Sequence, residues 1–329
     1  MNNLVRRVLL VTFVGVLLYG LFAVYTGVQQ IGSSLARFHA SALVFALSLA
    51  CLNYLLRFLK WQYYLAELQI RNIPWLDSLL VFLTGFVLTI TPGKVGEVFK
   101  SAVLAKTHGI AMERTASIVI ADRLTDVIGI VLLIVAGGAT FPKGLPWAVA
   151  GVAAVSIGLV FILWQAPARW LCDRLERGSG KLAAAVPKLR QALDSLRLLA
   201  RPRVLVVPAL LSVCAWGAEG TALYVLLRGF EQTVGLPLSA IVYASATLAG
   251  ALVPLPGGLG IVESLLRAGL VGWGHLEQGP ATAAMILVRL CTLWWAVVVG
   301  FAALFALRLR FKSALAEAPT SDAAGVRIG

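Results

Sequence analysis

Thr91-Pro92-Gly93-Lys94-Val95-Gly96-Glu97 and Pro254-Leu255-Pro256-Gly257-Gly258-Leu259-Gly260-Ile261-Val262-Glu263 decide how this chain folds. Each interrupts an apolar run with Pro-Gly-x-x-Gly and then supplies a glutamate. Proline removes a backbone donor and glycine relaxes the backbone, so a helix stops at each and restarts beyond it. The first break divides residues 76–107 and the second residues 238–271. Each divided run is a broken span or a re-entrant helical hairpin. The surroundings also correspond: Arg57 precedes Pro92 by 35 positions and Glu219 precedes Pro256 by 37. Asp122 follows Glu97 by 25, and Arg289 follows Glu263 by 26. Helix, broken hairpin, helix is thus expected twice, as repeat 1 (about 40–137) and repeat 2 (about 204–307), in opposite orientation.

Outward from the breaks, apolar runs near 8–28, 40–59, 115–137, 147–165, 204–227 and 282–307 read as helices. The chain is 60% hydrophobic and 13% charged, a balance suited to a bundle of membrane helices and not to a soluble domain. A span takes roughly 20 mostly apolar residues, and in hydrocarbon only helices or closed barrels satisfy their own backbone. Runs this long exclude an outer-membrane barrel. The fold class expected is all-α, a polytopic bundle formed by one integral membrane domain over residues 1–313, with a disordered tail at 314–329. Residues 8–28 follow Arg6 and Arg7 but exceed the apolar core of a signal peptide and lack an Ala-x-Ala end, so a retained helix is expected.

The net charge of +13 does not indicate nucleic acid, because the basic residues fall at the ends of apolar runs and in one connector. Positive-inside bias places Arg6, Arg7, Lys60, Arg71, Lys94, Lys100, Lys106, Arg114, Arg308, Arg310 and Lys312 on the cytoplasmic side, with both termini. These agree when both broken runs are re-entrant, the first entering from the cytoplasm and the second from the opposite face. The connector at 166–203 carries nine Arg or Lys, and its apolar residues recur at helical spacing. It reads either as an interfacial amphipathic helix or as a solvated linker. Trp61, Trp75, Trp147, Trp273, Trp294 and Trp295 read as interface anchors. Cys51, Cys172, Cys214 and Cys291 are scattered, as are His39, His108 and His275, so neither a disulfide framework nor a metal site is expected, and no cofactor.

A helix restarting inside the membrane presents unpaired N–H groups and a positive dipole end, which favour an anion such as phosphate. Thr91 is placed to cap the first restart, and Lys94 adds a full charge beside it. Ionisable residues within spans cost about 2.5–3.5 kcal/mol each and so face partners or a water-filled cavity. Arg57, Glu97, Asp122, Arg123, Asp126, Glu219, Glu263 and Arg289 are such residues. Asp122 and Asp126 share a helix face and repel unless Arg123, Arg289 or Arg57 sits between them, or one carries a proton. The candidate substrate site is these eight with Thr91, Gly93, Lys94, Gly96, Gly257, Gly258 and Gly260. Helix-locking ion pairs are the alternative for each residue alone. The motif lacks the Gly-Lys-Ser/Thr ending of a nucleotide phosphate loop.

Leu56-Arg57-Phe58-Leu59-Lys60-Trp61, Thr91 to Glu97, Asp122-Arg123-Leu124-Thr125-Asp126 and Pro254 to Gly260 with Glu263 resemble the transmembrane region of the lysylphosphatidylglycerol synthase family. The resemblance covers roughly residues 8–308. It implies translocation of lipids between leaflets, as for aminoacylated phosphatidylglycerol made by a fused soluble synthase domain. About twenty residues follow the last helix, far short of such a domain, so lysyl transfer is not expected.

The expected function is therefore a lipid flippase of the bacterial inner (cytoplasmic) membrane, not an enzyme, with anionic or phosphate-bearing lipids as partners and no nucleic acid. Lipid-biosynthesis enzymes are further candidate partners. The alternatives are a membrane-embedded enzyme acting on lipid phosphates and a non-catalytic scaffold of a hopanoid, polyprenyl-phosphate or glycolipid pathway.

Overall fold

The computed structural model describes residues 38–89, 96–138, 166–176, 181–253 and 256–311, with a few isolated positions besides. Among these residues every regular element is helical, as the apolar runs require. α1 (Ala40–Glu67) is followed by α2 (Trp75–Thr84), which tightens into a 3-10 turn at Gly85–Leu88. After the first break, α3 (Gly96–His108) leads to α4 (Met112–Gly138). The basic connector forms α5 (Ala166–Glu176) and α6 (Lys181–Leu199). α7 (Pro202–Gly229) starts with proline at its first position, where the missing N–H leaves no intrahelical bond unmade. α8 (Leu236–Leu252), a 3-10 turn at Pro256–Gly258 and α9 (Ile261–Gly272) form the second broken run. α10 (Gln278–Arg289) passes through a π turn at Leu290–Trp294 into α11 (Trp295–Arg310).

α1, α7 and the rod Gln278–Arg310 are long and apolar enough to cross a bilayer. α4 has the length, but Asp122, Arg123 and Asp126 lie along it. The arms of the broken runs are short: α3 has 13 residues and α9 has 12, about 20 Å each, against a hydrocarbon core of about 30 Å.

α7 is the hub, packing along α1, α4 and α8. The first broken run lies on α11, the last helix of the second half, while α8 of the second broken run lies on α4, the last helix of the first. Small residues permit the close crossings: the backbone of Gly129 on α4 meets that of Ser212 on α7, and Gly300 on α11 meets Phe86 and Val87.

The two broken runs open at opposite ends of the bundle. At one end, the carboxylate of Asp77, on the first turn of α2, meets Arg310 Nε and lies 3.6 Å from His108 Nε2, the last residue of α3. Both arms of the first run therefore finish beside the end of α11. At the other end, His39 N–H donates to the Gly229 carbonyl at 3.0 Å, Phe38 stacks on Phe230, and Val234 sits against Gly274. Both arms of the second run finish there, beside the start of α1.

Several expectations change. α1 runs on past Leu59 to Glu67 because its last turns are buried: Trp61 is 2% exposed and donates to Ser78 Oγ at 3.1 Å, so it is not an interface anchor. The connector is not a solvated linker: its described residues are helical, in α5 and α6. Arg190 ties α6 to Asp173 and Glu176 of α5, Lys188 meets Glu113 of α4 at 2.9 Å, and Val186, Leu196 and Leu199 are buried. The helix expected at 8–28, most of that at 147–165 and the tail lie outside the described residues.

A Cβ on residue 300 would lie 2.6 Å from Val87 N, whereas one on residue 272 meets nothing within 4 Å. Gly300→Val is therefore expected to lower stability by on the order of 1–3 kcal/mol and Gly272→Val by much less. Thermal melting of the detergent-purified protein checks this, and equal melting temperatures would refute the close crossing.

Candidate functional site

The site grows from one face of α1. Asn53, Arg57, Lys60 and Tyr64 recur at helical spacing and point inward. Opposite them on α4 stand Asp122, Thr125 and Asp126, and from α7 comes Ser212. Lys60 is fully buried. Its ammonium lies 2.7 Å from Asp122 Oδ1 and 2.6 Å from Asp126 Oδ1 and donates to Ser212 Oγ at 2.8 Å. An ammonium has three donors, which the Asp122, Asp126 and Ser212 oxygens meet, with Thr125 Oγ1 farther off at 3.5 Å. Arg57 Nη2 completes the bracket, 3.4 Å from Asp122 Oδ2 and 3.3 Å from Asp126 Oδ2. Arg123 Nη1 stands 3.8 Å from Asp126 Oδ2. The repulsion between two carboxylates one helical turn apart is thus offset by Lys60 and Arg57. Tyr64 supports the group from behind, 3.0 Å from Thr125 Oγ1.

A second cluster forms at the other break. Gly257, Gly258 and Gly260 take φ of 60°, 66° and 88°, values that favour glycine, and the chain turns sharply before α9. Arg289 Nε donates to Glu263 Oε1 at 2.6 Å, and its Nη2 donates to the Gly257 carbonyl at 2.8 Å. The other Glu263 oxygen accepts from Gly260 N–H at 2.7 Å. This carboxylate therefore caps the start of α9 and occupies one of the donors that the sequence offers to an anion. The π turn follows Arg289 directly, an insertion of the kind that re-aims side chains at functional sites.

Between the clusters lies a cavity of about 100 Å³, room for several waters or a phosphate-sized group. Arg57 reaches it from α1 and Arg289 from the end of α10, with Glu219 of α7 between them. Tyr243 of α8 donates to Glu219 Oε2 at 2.6 Å. The wall is thus charged, with arginines from both halves of the chain and one carboxylate held by a phenol.

Of the residues expected from sequence, Arg57, Glu219, Gly257, Gly258 and Arg289 line the cavity. Asp122, Asp126 and Glu263 stand behind and hold the arginines. Arg123 lies at the edge of the first cluster, its side chain 30% exposed. Gly260 precedes α9 with open space around it, and Gly96 begins α3. Thr91, Gly93, Lys94 and the Glu97 side chain lie outside the described residues. Arg289, considered as a partner for the aspartates, pairs with Glu263 instead. Lys60, read from charge bias as a boundary residue, is the centre of the first cluster. Its position three residues after Arg57, on the same helix face, is the signal that points to it. Asn53, Tyr54, Trp216 and Tyr243 also line the cavity and carry no charge by which to find them.

Removing one partner of a buried pair leaves an uncompensated charge, typically at a cost of about 3–5 kcal/mol. Lys60→Met is expected to destabilise on that scale, and Lys60→Met with Asp126→Asn to recover part of the loss. Thermal unfolding of the purified variants measures both. Strictly additive losses would mean that Lys60 and Asp126 do not interact.

A family model described as the lysylphosphatidylglycerol synthase TM region matches residues 8–300. A UPF0104 membrane protein of Pyrococcus horikoshii is 22% identical over 320 residues, spanning 88% of this chain and 94% of that protein. A UPF0104 membrane protein of Methanothermobacter thermautotrophicus is 25% identical over 64% of this chain and 68% of its own length. One of Methanocaldococcus jannaschii is 21% identical over 65% of this chain and 91% of its own.

Proposed function

The chain belongs to the lysylphosphatidylglycerol synthase TM-region family, and on that premise we propose that it is a lipid flippase moving a phosphate-bearing lipid between leaflets of the cytoplasmic membrane. The observation that carries the reading is the cavity on which Arg57 and Arg289 converge from the two halves. Guanidinium groups match phosphate oxygens in geometry and keep their charge away from water. The acidic residues behind them hold each fork in place before a headgroup arrives. Because Glu263 already caps the start of α9, the arginines carry the anion there and the helix start assists.

The two broken runs act as re-entrant hairpins of an inverted repeat. Their short arms, their openings at opposite ends and their exchange of packing partners, first run on α11 and α8 on α4, support this. Interrupted helices at corresponding places in two halves, meeting at a buried polar site, suit alternating access from the two leaflets. The end that carries Arg71, Arg114, Arg201, Arg203, Arg308 and Arg310 faces the cytoplasm by the positive-inside rule, together with both termini. α5 and α6 lie at that end, their basic residues toward anionic headgroups.

Purified protein reconstituted into vesicles with labelled phospholipids tests the reading. The protein is expected to accelerate exchange between leaflets, and Arg57→Gln or Arg289→Gln to slow it by on the order of tenfold while the variants still elute as monodisperse protein. Exchange no faster than in empty vesicles, across anionic and zwitterionic lipids, would overturn it.

A further inference from the structure

Among the described residues, three of the carboxylates at or behind the cavity wall face a cation at close range. Asp122 Oδ1 lies 2.7 Å from the Lys60 ammonium, Asp126 Oδ1 lies 2.6 Å from it, and Glu263 Oε1 lies 2.6 Å from Arg289 Nε. Glu219 of α7 differs from them. It is 6% exposed and lines the cavity, yet it forms no ion pair among the described residues. Its partner is neutral: the Tyr243 hydroxyl donates to Oε2 at 2.6 Å. Arg57 and Arg289 share the cavity wall with it and act on it electrostatically without closing to an ion pair. A buried carboxylate without a paired counter-charge is costly, so its charge is the one in this group most easily given up.

The titratable groups that face Glu219 are Tyr54 and Arg57 of α1, Asp126 of α4, Tyr243 of α8 and Arg289 of α10. The cavity holds about 100 Å³, so a phosphate that enters it displaces most of the water that would screen it from Glu219. Two anions in one dry cavity repel, and a proton on one of them relieves the repulsion. A proton on Asp122, Asp126 or Glu263 would weaken the hold on Lys60, Arg57 or Arg289. A proton on Glu219 gives up no such hold. A neutral carboxyl still accepts from the Tyr243 hydroxyl, and it gains an O–H that donates to a phosphate oxygen.

We propose that Glu219 takes up a proton as a phosphate enters the cavity and releases it as the phosphate leaves, so that each headgroup crosses together with one proton. The proposal rests on the lipid-translocation reading and supplies its coupling. The proton comes from water at the leaflet to which the cavity is open and returns to water at the other leaflet. With a phosphodiester headgroup of single charge, the crossing is electroneutral. With the cavity empty, the ionised carboxylate faces the two arginines in the phosphate's place.

Short-chain phosphatidylglycerol is the probe, because a phosphodiester lacks the second ionisation that a phosphate monoester undergoes near about pH 6. Its affinity for the full-length, detergent-purified protein is expected to fall as pH rises, by up to about tenfold per pH unit, the limit for uptake of one proton. Glu219→Gln mimics the protonated acid. This variant is expected to bind at every pH as the unaltered protein binds at low pH, a gain in alkali that a merely damaged site would not show. Vesicles with a trapped pH-sensitive dye give a second measurement that needs no variant. Phosphatidylglycerol added to the outer leaflet is expected to acidify the lumen in step with its arrival at the inner leaflet. A flat pH profile in the unaltered chain, or an unchanged profile in Glu219→Gln, would overturn the proton uptake. Leaflet exchange without acidification would overturn the coupling and leave the transport reading standing. Binding whose pH dependence Glu219→Gln abolishes, without leaflet exchange, overturns transport and leaves proton uptake at Glu219 in place.

Discussion

One buried ammonium organises the first half of this molecule. Lys60 meets Asp122 and Asp126 of α4 and Ser212 of α7, so a single side chain of α1 ties three helices together. The arrangement has no slack: each carboxylate needs the lysine because the other is one turn away, and the lysine needs both because it is fully buried. Its consequence lies one turn earlier, where the outer oxygens of the same aspartates hold Arg57 at the cavity wall. The close crossing of Gly129 over Ser212 brings α4 and α7 near enough for this geometry.

The second half reaches the same end by different chemistry. Arg289 is held by one carboxylate and one backbone carbonyl, and that carboxylate also caps the helix restarting after the break. Both arginines are thus aimed by acidic groups that stand behind them, and both reach one small cavity from separate helices. The halves are alike in layout and unlike in detail. In the first, the supporting charges come from the neighbouring helix α4; in the second, from α9, which follows the break.

The sequence made the architecture legible because apolar runs and proline-glycine breaks act locally. A helix in hydrocarbon follows from composition, and a break follows from a missing donor. The cavity arginines and the carboxylates behind them were legible for a related reason, since an ionisable group inside an apolar run is conspicuous. Lys60, Lys100 and Trp61 were misread by the same logic. They fall near the end of an apolar run or just past a break, where basic and aromatic residues usually meet the interface. Here, however, α1 continues to Glu67, and Lys100 lies buried against the rings of Trp61 and Phe82. Whether a boundary residue turns inward depends on what packs outside it, which here is α2, α3 and α6. Asn53, Trp216 and Tyr243 escaped notice because neutral polar residues in membrane helices are common, and only three-dimensional placement sets these apart. The docking of α6 on α5 and α4 likewise depends on Arg190 and Lys188 finding acidic partners on those helices.

The two halves are proposed to present Arg57 and Arg289 to one phosphate group. A cryo-electron microscopy structure of the protein in lipid nanodiscs, at a resolution that separates headgroups from water, tests this most directly. Phosphate density is expected in the cavity, within hydrogen-bonding distance of both guanidinium groups. Lipid density confined to the outer surface of the bundle, with only water between Arg57 and Arg289, would contradict it.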